Sequence, residues 1–213
     1  MDDNQKMINS LLDSKMIDEN VAEAMLKVKR ELFVPEEQKQ HAYSDVPLPI
    51  GHGQTISAPS IVGFMSMKLD AGEGMKILEI GTGSGYQAAI LGELIGKKGK
   101  VYTIERKPEL IELAKKNIKK SGVDNVVIIE GDGTQGYAKE APFDRIIVTA
   151  GSPDVPKPLI EQLKKGGKML IPVGPAHSQY LILVEKNGEI KKTAILPVVF
   201  VPLVGKYGHP ESK

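Results

Sequence analysis

The chain has 213 residues and 41% hydrophobic content, enough to bury one substantial core and to need no more than a single domain. Its 28 basic and 27 acidic residues leave a formal net charge of +1, so no global field draws it to nucleic acid or to anionic lipid. Aromatics at 5%, with no Trp, give little stacking platform for single strands, and the absence of Cys excludes disulfides, a thiol nucleophile and cysteine-held metal.

The opening Met1-Asp2-Asp3-Asn4-Gln5-Lys6 is polar and lacks a signal-peptide pattern, and no apolar run approaches a membrane span; a cytoplasmic protein is expected. From Met7 to Arg30 the spacing predicts two short helices. Ile8, Leu11 and Leu12 form the apolar face of the first, and Val21, Met25 and Val28 that of the second, with Asp18 as its N-cap. They are expected to cap the main domain, and Pro35 ends the helical run. Residues 41–60 hold three prolines, two glycines and little periodicity, which predicts a long irregular segment. Its apolar Val46, Leu48, Ile50 and Ile56 ask to be packed. Ser57 is expected to N-cap a helix containing Ile61, Val62, Phe64, Met65, Met67 and Leu69, with Pro59 in the first turn.

Lys76 to Ile80 is a short apolar run of the kind buried on both faces of a parallel sheet. Gly81, Gly83 and Gly85 follow, and then Ala88, Ala89, Leu91 and Leu94 at helical spacing. Strand, glycine turn and helix open a nucleotide-binding βαβ unit, in which glycines let backbone N–H groups approach a ligand. A dinucleotide fingerprint would place its third small residue at position 86, which is Tyr86, so that reading is weakened. Val101 to Glu105 is the next strand, and Glu105 lies about 20 residues beyond the turn, where a carboxylate can accept from ribose hydroxyls.

Strand and helix then alternate. A helix spans Pro108 to Lys120, ended by Ser121-Gly122, and Val126 to Glu130 is a strand followed by Gly131-Asp132-Gly133. Another strand runs from Phe143 to Thr149, a short helix covers Leu159 to Leu163 and is closed by Gly166-Gly167, and Lys168 to Val173 is a strand. Tyr180 to Lys186 and Lys191 to Val199 read as an antiparallel pair around Asn187-Gly188, a strong hairpin signal and a dipeptide prone to deamidate. The fold expected is α/β: an open, doubly wound, Rossmann-like sheet of about seven strands, mostly parallel with an antiparallel C-terminal pair, plus an N-terminal helical cap. One domain spans 1–213, with helices and an irregular loop over 1–70 packed on a nucleotide-binding sheet over 75–205.

The turn Glu79-x-Gly81-x-Gly83-x-Gly85 resembles the cofactor turn of S-adenosylmethionine-dependent methyltransferases. The chain as a whole resembles the protein-L-isoaspartate (D-aspartate) O-methyltransferases. The likeness runs through Ala42-Tyr43, Pro47-Leu48-Pro49-Ile50-Gly51, Gly53-Gln54-Thr55-Ile56-Ser57, Leu78 to Ala89, Val101 to Arg106, Gly131-Asp132-Gly133, Phe143-Asp144, Leu163 to Gly167 and Ile171 to Gly174. The Gly-Gln-Thr-Ile-Ser segment is specific to that family, whereas the glycine turn is shared among methyltransferases.

The resemblance implies methyl transfer from S-adenosyl-L-methionine, leaving S-adenosyl-L-homocysteine, to the α-carboxylate of L-isoaspartyl and D-aspartyl residues in age-damaged proteins. Repair then proceeds through a succinimide. It implies Ser57 as the active-site residue, with Thr55 and Ile56 shaping the same pocket. It places Glu79, Gly81, Thr82, Gly83 and Ser84 at the methionine end of the cofactor, Glu105 at the ribose, Arg106 beside the adenine, and Asp132 with Gly133 at the adenine edge. Ile56, Ser57, Val201, Pro202 and Leu203 would meet the peptide. Val204 stands where many members carry a threonine, so a hydroxyl contact there is not expected. No metal is implied, and His41, His52, His177 and His209 show no ligand spacing. A monomer acting on isoaspartyl peptides, without nucleic-acid or membrane partners, is expected. A base methyltransferase fits less well, because Val148-Thr149-Ala150-Gly151-Ser152-Pro153 lacks the Asp/Asn-Pro-Pro-Tyr/Phe motif. A small-molecule methyltransferase stays open on fold alone, and a silent binding module would not need the Gln-Thr-Ile-Ser segment.

Overall fold

The computed structural model describes residues 2–211; Met1 of the polar opening and the last two residues lie outside that range. Helix α1 (Asp3–Asp13) starts at Asp2, whose carboxylate accepts from the Gln5 amide at 2.8 Å. Helix α2 (Glu19–Lys27) starts at Asp18, as its sequence predicts, through a bond from the Val21 amide at 2.9 Å. Pro35 does not end the helical run: α2 stops at Lys27, well before the proline, which lies between two 3-10 turns, Arg30–Phe33 and Glu36–His41, that carry the chain to the next segment.

Residues 41–60 depart from the expected irregular segment. Strands β1 (Leu48–Gly51) and β2 (Gln54–Ile56) pair antiparallel around a turn in which Gly51, His52 and Gly53 all have positive φ. The ribbon forms because Leu48 and Ile50 are buried while Pro49 and Gly51 face out, an alternation that the prolines obscured. Helix α3 (Pro59–Leu69) follows. Ser57 is not its cap: the N-cap position is Ala58, with no side-chain cap bond, and the first turn is held instead by the Asp45 carboxylate, which accepts from the Ser60 amide at 2.8 Å. The Ser57 hydroxyl is left free of that structural task.

The main sheet contains β3 (Lys76–Ile80), β4 (Lys100–Glu105), β5 (Val126–Glu130), β6 (Phe143–Val148), β7 (Leu163–Val173), β8 (Gln179–Asn187) and β9 (Glu189–Val198), in the order β5-β4-β3-β6-β7-β8-β9. The first five neighbours pair parallel, and β8 and β9 add antiparallel. Helices α4 (Tyr86–Ile95) and α5 (Pro108–Ser121) join β3 to β4 and β4 to β5. After β5 the chain crosses back to β6 on the other side of β3, so the strand order reverses between β3 and β6, the position at which open α/β sheets bind ligands.

Alternate residues divide the core between the two faces. Ile77, Val101, Ile147 and Leu170 join the cluster under α1 to α5, while Leu78, Ile104, Ile146 and Met169 join the opposite cluster with Leu159 and Leu163. Helix α6 (Lys157–Gln162) belongs to this second face. It stops short of the predicted Gly166-Gly167 closure. The chain is already strand from Leu163 and runs through both glycines, with a register irregularity opposite Phe143 and Arg145. The β8–β9 hairpin is also tighter than expected, since Asn187 and Glu189 pair with only Gly188 between them.

Candidate active site

The carboxyl ends of β3, β4, β5 and β6 open on a cavity roofed by the β2–α3 segment and by residues 200–204. Gly81 has φ +95°, and a Cβ there would stand 2.5 Å from Thr149 Oγ1. Gly85 has φ +89° and leads directly into α4. These two positions demand glycine: one for a close strand–turn approach, the other for the left-handed entry to a helix. Thr149 Oγ1 donates to the carbonyls of Ile80 and Gly81 at 3.0 and 2.7 Å, and Asn117 Nδ2 holds the Ser84 carbonyl at 3.0 Å. The turn is thus fixed from two sides, by the residue after β6 and by α5.

Glu105 ends β4 buried but at the cavity wall. One carboxylate oxygen accepts from the Gly83 amide at 3.0 Å, and the other from the Arg106 and Lys107 amides at 2.9 and 3.1 Å. Those bonds fix the rotamer and leave lone pairs for hydroxyl donors. Thr55, Ile56, Ser57, Gly81, Thr82, Gly83, Ser84, Glu105, Arg106 and Gly133 of the sequence-derived set all line this cavity, as do Val201, Pro202 and Leu203.

Two members of the set lie elsewhere. Glu79 is fully buried within β3 and does not reach the cavity wall. Its carboxyl accepts from Thr103 Oγ1, which in turn lies 2.7 Å from Thr82 Oγ1, so Glu79 acts on the glycine turn through two hydroxyls. Burial pushes its carboxyl up to about 8, and its second oxygen has no partner. Asp132 is the other. Its side chain turns away from the cavity to accept from the Thr134 amide and hydroxyl at 2.9 and 2.7 Å and from the Lys206 amide at 2.9 Å, leaving Gly131 and Gly133 as the wall. Partial burial works against its ionisation, but the amides of Lys206 and Thr134 and the Thr134 hydroxyl hold this carboxyl below the usual carboxylate range.

Arg30 was not foreseen. Among the described residues it is the largest fully buried side chain and forms no ion pair, and it donates to the carbonyls of Ala42 at 2.7 Å, Ser57 at 2.6 Å and Val46 at 3.3 Å. Its guanidinium sits 5.5 Å from the ring centre of Tyr86, which is itself buried against Phe33 and lines the cavity. Desolvation lowers its pKa to about 10, so it stays cationic at neutral pH. One side chain therefore fixes the β1–β2 ribbon, Ser57 and the start of α4 together. An arginine between Lys29 and Glu31 reads as surface charge, and only the prolines and glycines downstream hint at carbonyls needing a donor.

A second cavity adjoins the first and is lined by Pro47, Ala58, Ala176, His177 and Pro197 to Val199. Thr55, Ser57, Ile61, Thr149, Phe200, Val201 and Pro202 line both. Ser57 thus stands at the junction, half-buried, with no hydrogen bond from its hydroxyl to any described residue.

An open α/β sheet with a glycine turn at its switch point and a carboxylate ending the neighbouring strand defines the class as a binder of a ribose-bearing nucleotide. The sequence matches the profile of the protein-L-isoaspartate(D-aspartate) O-methyltransferase family over residues 2–208, and the chain belongs to that family. It is 53% identical over 208 residues to the protein-L-isoaspartate O-methyltransferase of Methanothrix thermoacetophila, covering 98% of each chain. With that of Methanopyrus kandleri it shares 56% identity over 196 residues, covering 91% of this chain and 87% of the other. Among solved structures, a protein-L-isoaspartate O-methyltransferase superposes with a TM-score of 0.89 at 30% identity, covering 96% of this chain and 67% of the other. A Plasmodium falciparum protein described as a putative member, in complex with S-adenosyl-L-homocysteine, gives 0.86 at 28% identity, covering 96% and 99%.

Proposed function

We propose that the protein methylates the α-carboxylate of L-isoaspartyl and D-aspartyl residues in damaged polypeptides, with S-adenosyl-L-methionine as donor. The observation that carries this reading is the junction: a cavity walled by the glycine turn and Glu105 and a second one walled by Pro47, His177 and Val199 meet at Ser57. Family membership supports both the donor and the acceptor.

The residues fit the donor. The glycine turn offers exposed backbone, Glu105 offers a carboxylate to hydroxyl donors, and Ile80, Ile104 and Met65 give an apolar wall for a purine. When bound, the donor supplies an activated methyl group on a positively charged sulfur. The acceptor needs little help: a carboxylate with a pKa near 4 is already ionised at neutral pH, so no general base is required. What remains for this chain is positioning and exclusion of water. Ser57 donates its hydroxyl to the acceptor carboxylate and aims one oxygen toward the first cavity, while Arg30 anchors its backbone. Phe200, Val201 and Pro202 close the other side. The ester product then cyclises to a succinimide through its own backbone amide, without assistance from the protein. Gly81, Thr82, Gly83 and Ser84 hold the amino-acid end of the donor, and Arg106 and Gly133 flank its base. Among the described residues, no group of His, Asp and Glu is arranged to hold a metal, and no helix is long and apolar enough to cross a membrane. With a net charge of +1 in support, the same reading takes the chain as one domain acting as a cytoplasmic monomer without nucleic-acid or membrane partners.

The test is incubation with labelled donor and three matched peptides: isoaspartyl, aspartyl and isoaspartyl with a blocked α-carboxyl. Base-labile label on the first alone is expected, whereas equal label on the aspartyl peptide would reject the reading.

A further inference from the structure

Beyond the roof of the first cavity, the chain from Leu203 to Glu211 crosses the carboxyl ends of the strands. The Leu203 amide donates to the Gly151 carbonyl at 2.8 Å, just past β6. At the end of β5 the Lys206 amide donates to the Asp132 carboxylate at 2.9 Å and the Tyr207 amide to Thr134 Oγ1 at 3.1 Å. The segment doubles back there, with the Gly208 amide donating to the Gly205 carbonyl at 3.1 Å and the His209 amide to the Leu203 carbonyl at 2.7 Å. A Cβ on Gly205 would collide with the Asp132 carboxylate, and one on Gly208 with the Leu203 carbonyl, so the turn lies flat on its dock. The chain then returns to the end of β4, where the Glu211 carboxylate lies 2.7 Å from the Arg106 guanidinium.

Arg106 lines the first cavity with Gly131, Gly133 and Val204. Its backbone amide is fixed by Glu105 at 2.9 Å, but among the described residues its guanidinium has no partner except Glu211. The two side chains are 38% and 72% exposed. An exposed ion pair adds little to stability, yet this one decides where a guanidinium at the cavity rim points. An arginine tethered only through its backbone samples many rotamers, and ordering it when a ligand arrives costs entropy. A carboxylate at charge-assisted distance removes part of that cost. Arg106, and after it Lys107, hold the Glu211 carboxyl below the usual carboxylate range, so the pair is fully charged at neutral pH.

We propose that Glu211 is a positioning residue for the nucleotide: its carboxylate fixes the Arg106 guanidinium at the base end of the first cavity and keeps the segment from Leu203 closed over it, so that release of the nucleotide requires the pair to part. The root of the segment is held on Asp132 and Thr134 by backbone hydrogen bonds, whereas its end is held by one exposed ion pair. Opening therefore starts at Glu211. Glu105 sits behind both, because the same carboxylate that faces the cavity accepts from the amides of Arg106 and Lys107.

This inference rests on the reading that the first cavity holds the donor and its product, and one experiment separates the two. Dissociation of labelled S-adenosyl-L-homocysteine, chased with excess unlabelled ligand, is timed for the parent chain, for Glu211→Gln and for Glu112→Gln. The last breaks an exposed pair with Lys115 on α5 and touches neither cavity. The ligand carries no net charge at neutral pH, so salt acts chiefly on the pair.

At ~0.01 M salt, Glu211→Gln is expected to release the ligand about two- to fivefold faster than the parent, the span an exposed ion pair commands. That ratio should fall to about one at ~1 M salt, where the screening length is about 3 Å. Glu112→Gln should match the parent under both conditions. Equal release rates for Glu211→Gln and the parent at low salt overturn the inference and leave the donor reading standing. Faster release that persists undiminished at high salt also overturns it, because the shape of the segment rather than its charge would then be the cause. Failure of the parent to bind S-adenosyl-L-homocysteine at all removes the donor reading and the inference with it.

Discussion

Replacing Arg30 by methionine tests how the active-site ribbon is held. The substitution keeps an unbranched, buried stem and removes a guanidinium that serves the carbonyls of Ala42, Ser57 and Val46. Each buried acceptor left without a donor costs ~1–3 kcal/mol, so the two short bonds at 2.7 and 2.6 Å set a loss of about 2–6 kcal/mol. Against this stands relief of the desolvation that lowers the pKa of Arg30 to about 10, a return of about half that loss, on the order of 1–3 kcal/mol, as in comparable buried-ion replacements. The net expectation is about 1–3 kcal/mol of destabilisation. Urea unfolding reads it as a lower midpoint at unchanged slope. Function should fall further than stability explains. A displacement of ~1 Å at Ser57 is enough for about a hundredfold loss of turnover, while affinity for S-adenosyl-L-homocysteine, set mostly by the glycine turn, changes little. Arg30→Lys should recover part of the stability and little of the turnover, since one amine cannot span carbonyls from residues 42, 46 and 57. An unchanged midpoint with unchanged turnover in Arg30→Met would refute the reasoning.

Three further outcomes follow from the geometry. Ser57→Ala should lower turnover on an isoaspartyl peptide at least tenfold with cofactor affinity within a factor of two by calorimetry, because its hydroxyl caps no helix; parallel collapse of both would place it on the donor side instead. Gly81→Ala forces a Cβ to within 2.5 Å of Thr149 Oγ1 at φ +95°, a conformational cost of ~1–2 kcal/mol before the clash, and calorimetry should show S-adenosyl-L-homocysteine binding lost or weakened at least tenfold. The carboxyl of Glu79 is raised by burial to about 8, so the folded state holds its proton where the unfolded chain releases it. Stability from this group is complete below the unfolded pKa near 4.3 and declines as pH rises toward 8. Glu79→Gln should remove that part of the decline in thermal-melting profiles, and a profile parallel to that of the parent would contradict it.

Much of the sheet was legible because its strands are short apolar runs bounded by glycine and charge, and Asp18 and the turn after Ile80 sit where local chemistry alone puts them. The glycine turn and Glu105 were legible for the same reason, since both reflect backbone needs that few residues meet. Other features depend on partners distant in sequence. The β1–β2 ribbon hides behind Pro47 and Pro49, which ordinarily mark irregular chain but here occupy an exposed edge. Ser57 looked like a cap because Pro59 follows it, yet Asp45, 15 residues before Ser60, takes that task. Asp132 and Glu79 carry the right residue type at the right strand end, but alternation turns Glu79 into the sheet and the C-terminal segment claims Asp132. Arg30 shows the limit most plainly: nothing adjacent to it reveals that three carbonyls up to 27 residues away will need its donors.

The account stands on the meeting of two cavities at Ser57, and a crystal structure with S-adenosyl-L-homocysteine and an isoaspartyl peptide bound together tests this most directly. The sulfur is expected beside the glycine turn, and the free α-carboxylate within hydrogen-bond reach of the Ser57 hydroxyl, with one oxygen pointing at the sulfur. A peptide carboxylate seated away from Ser57, or a nucleotide outside the cavity walled by Gly81 and Glu105, would contradict it.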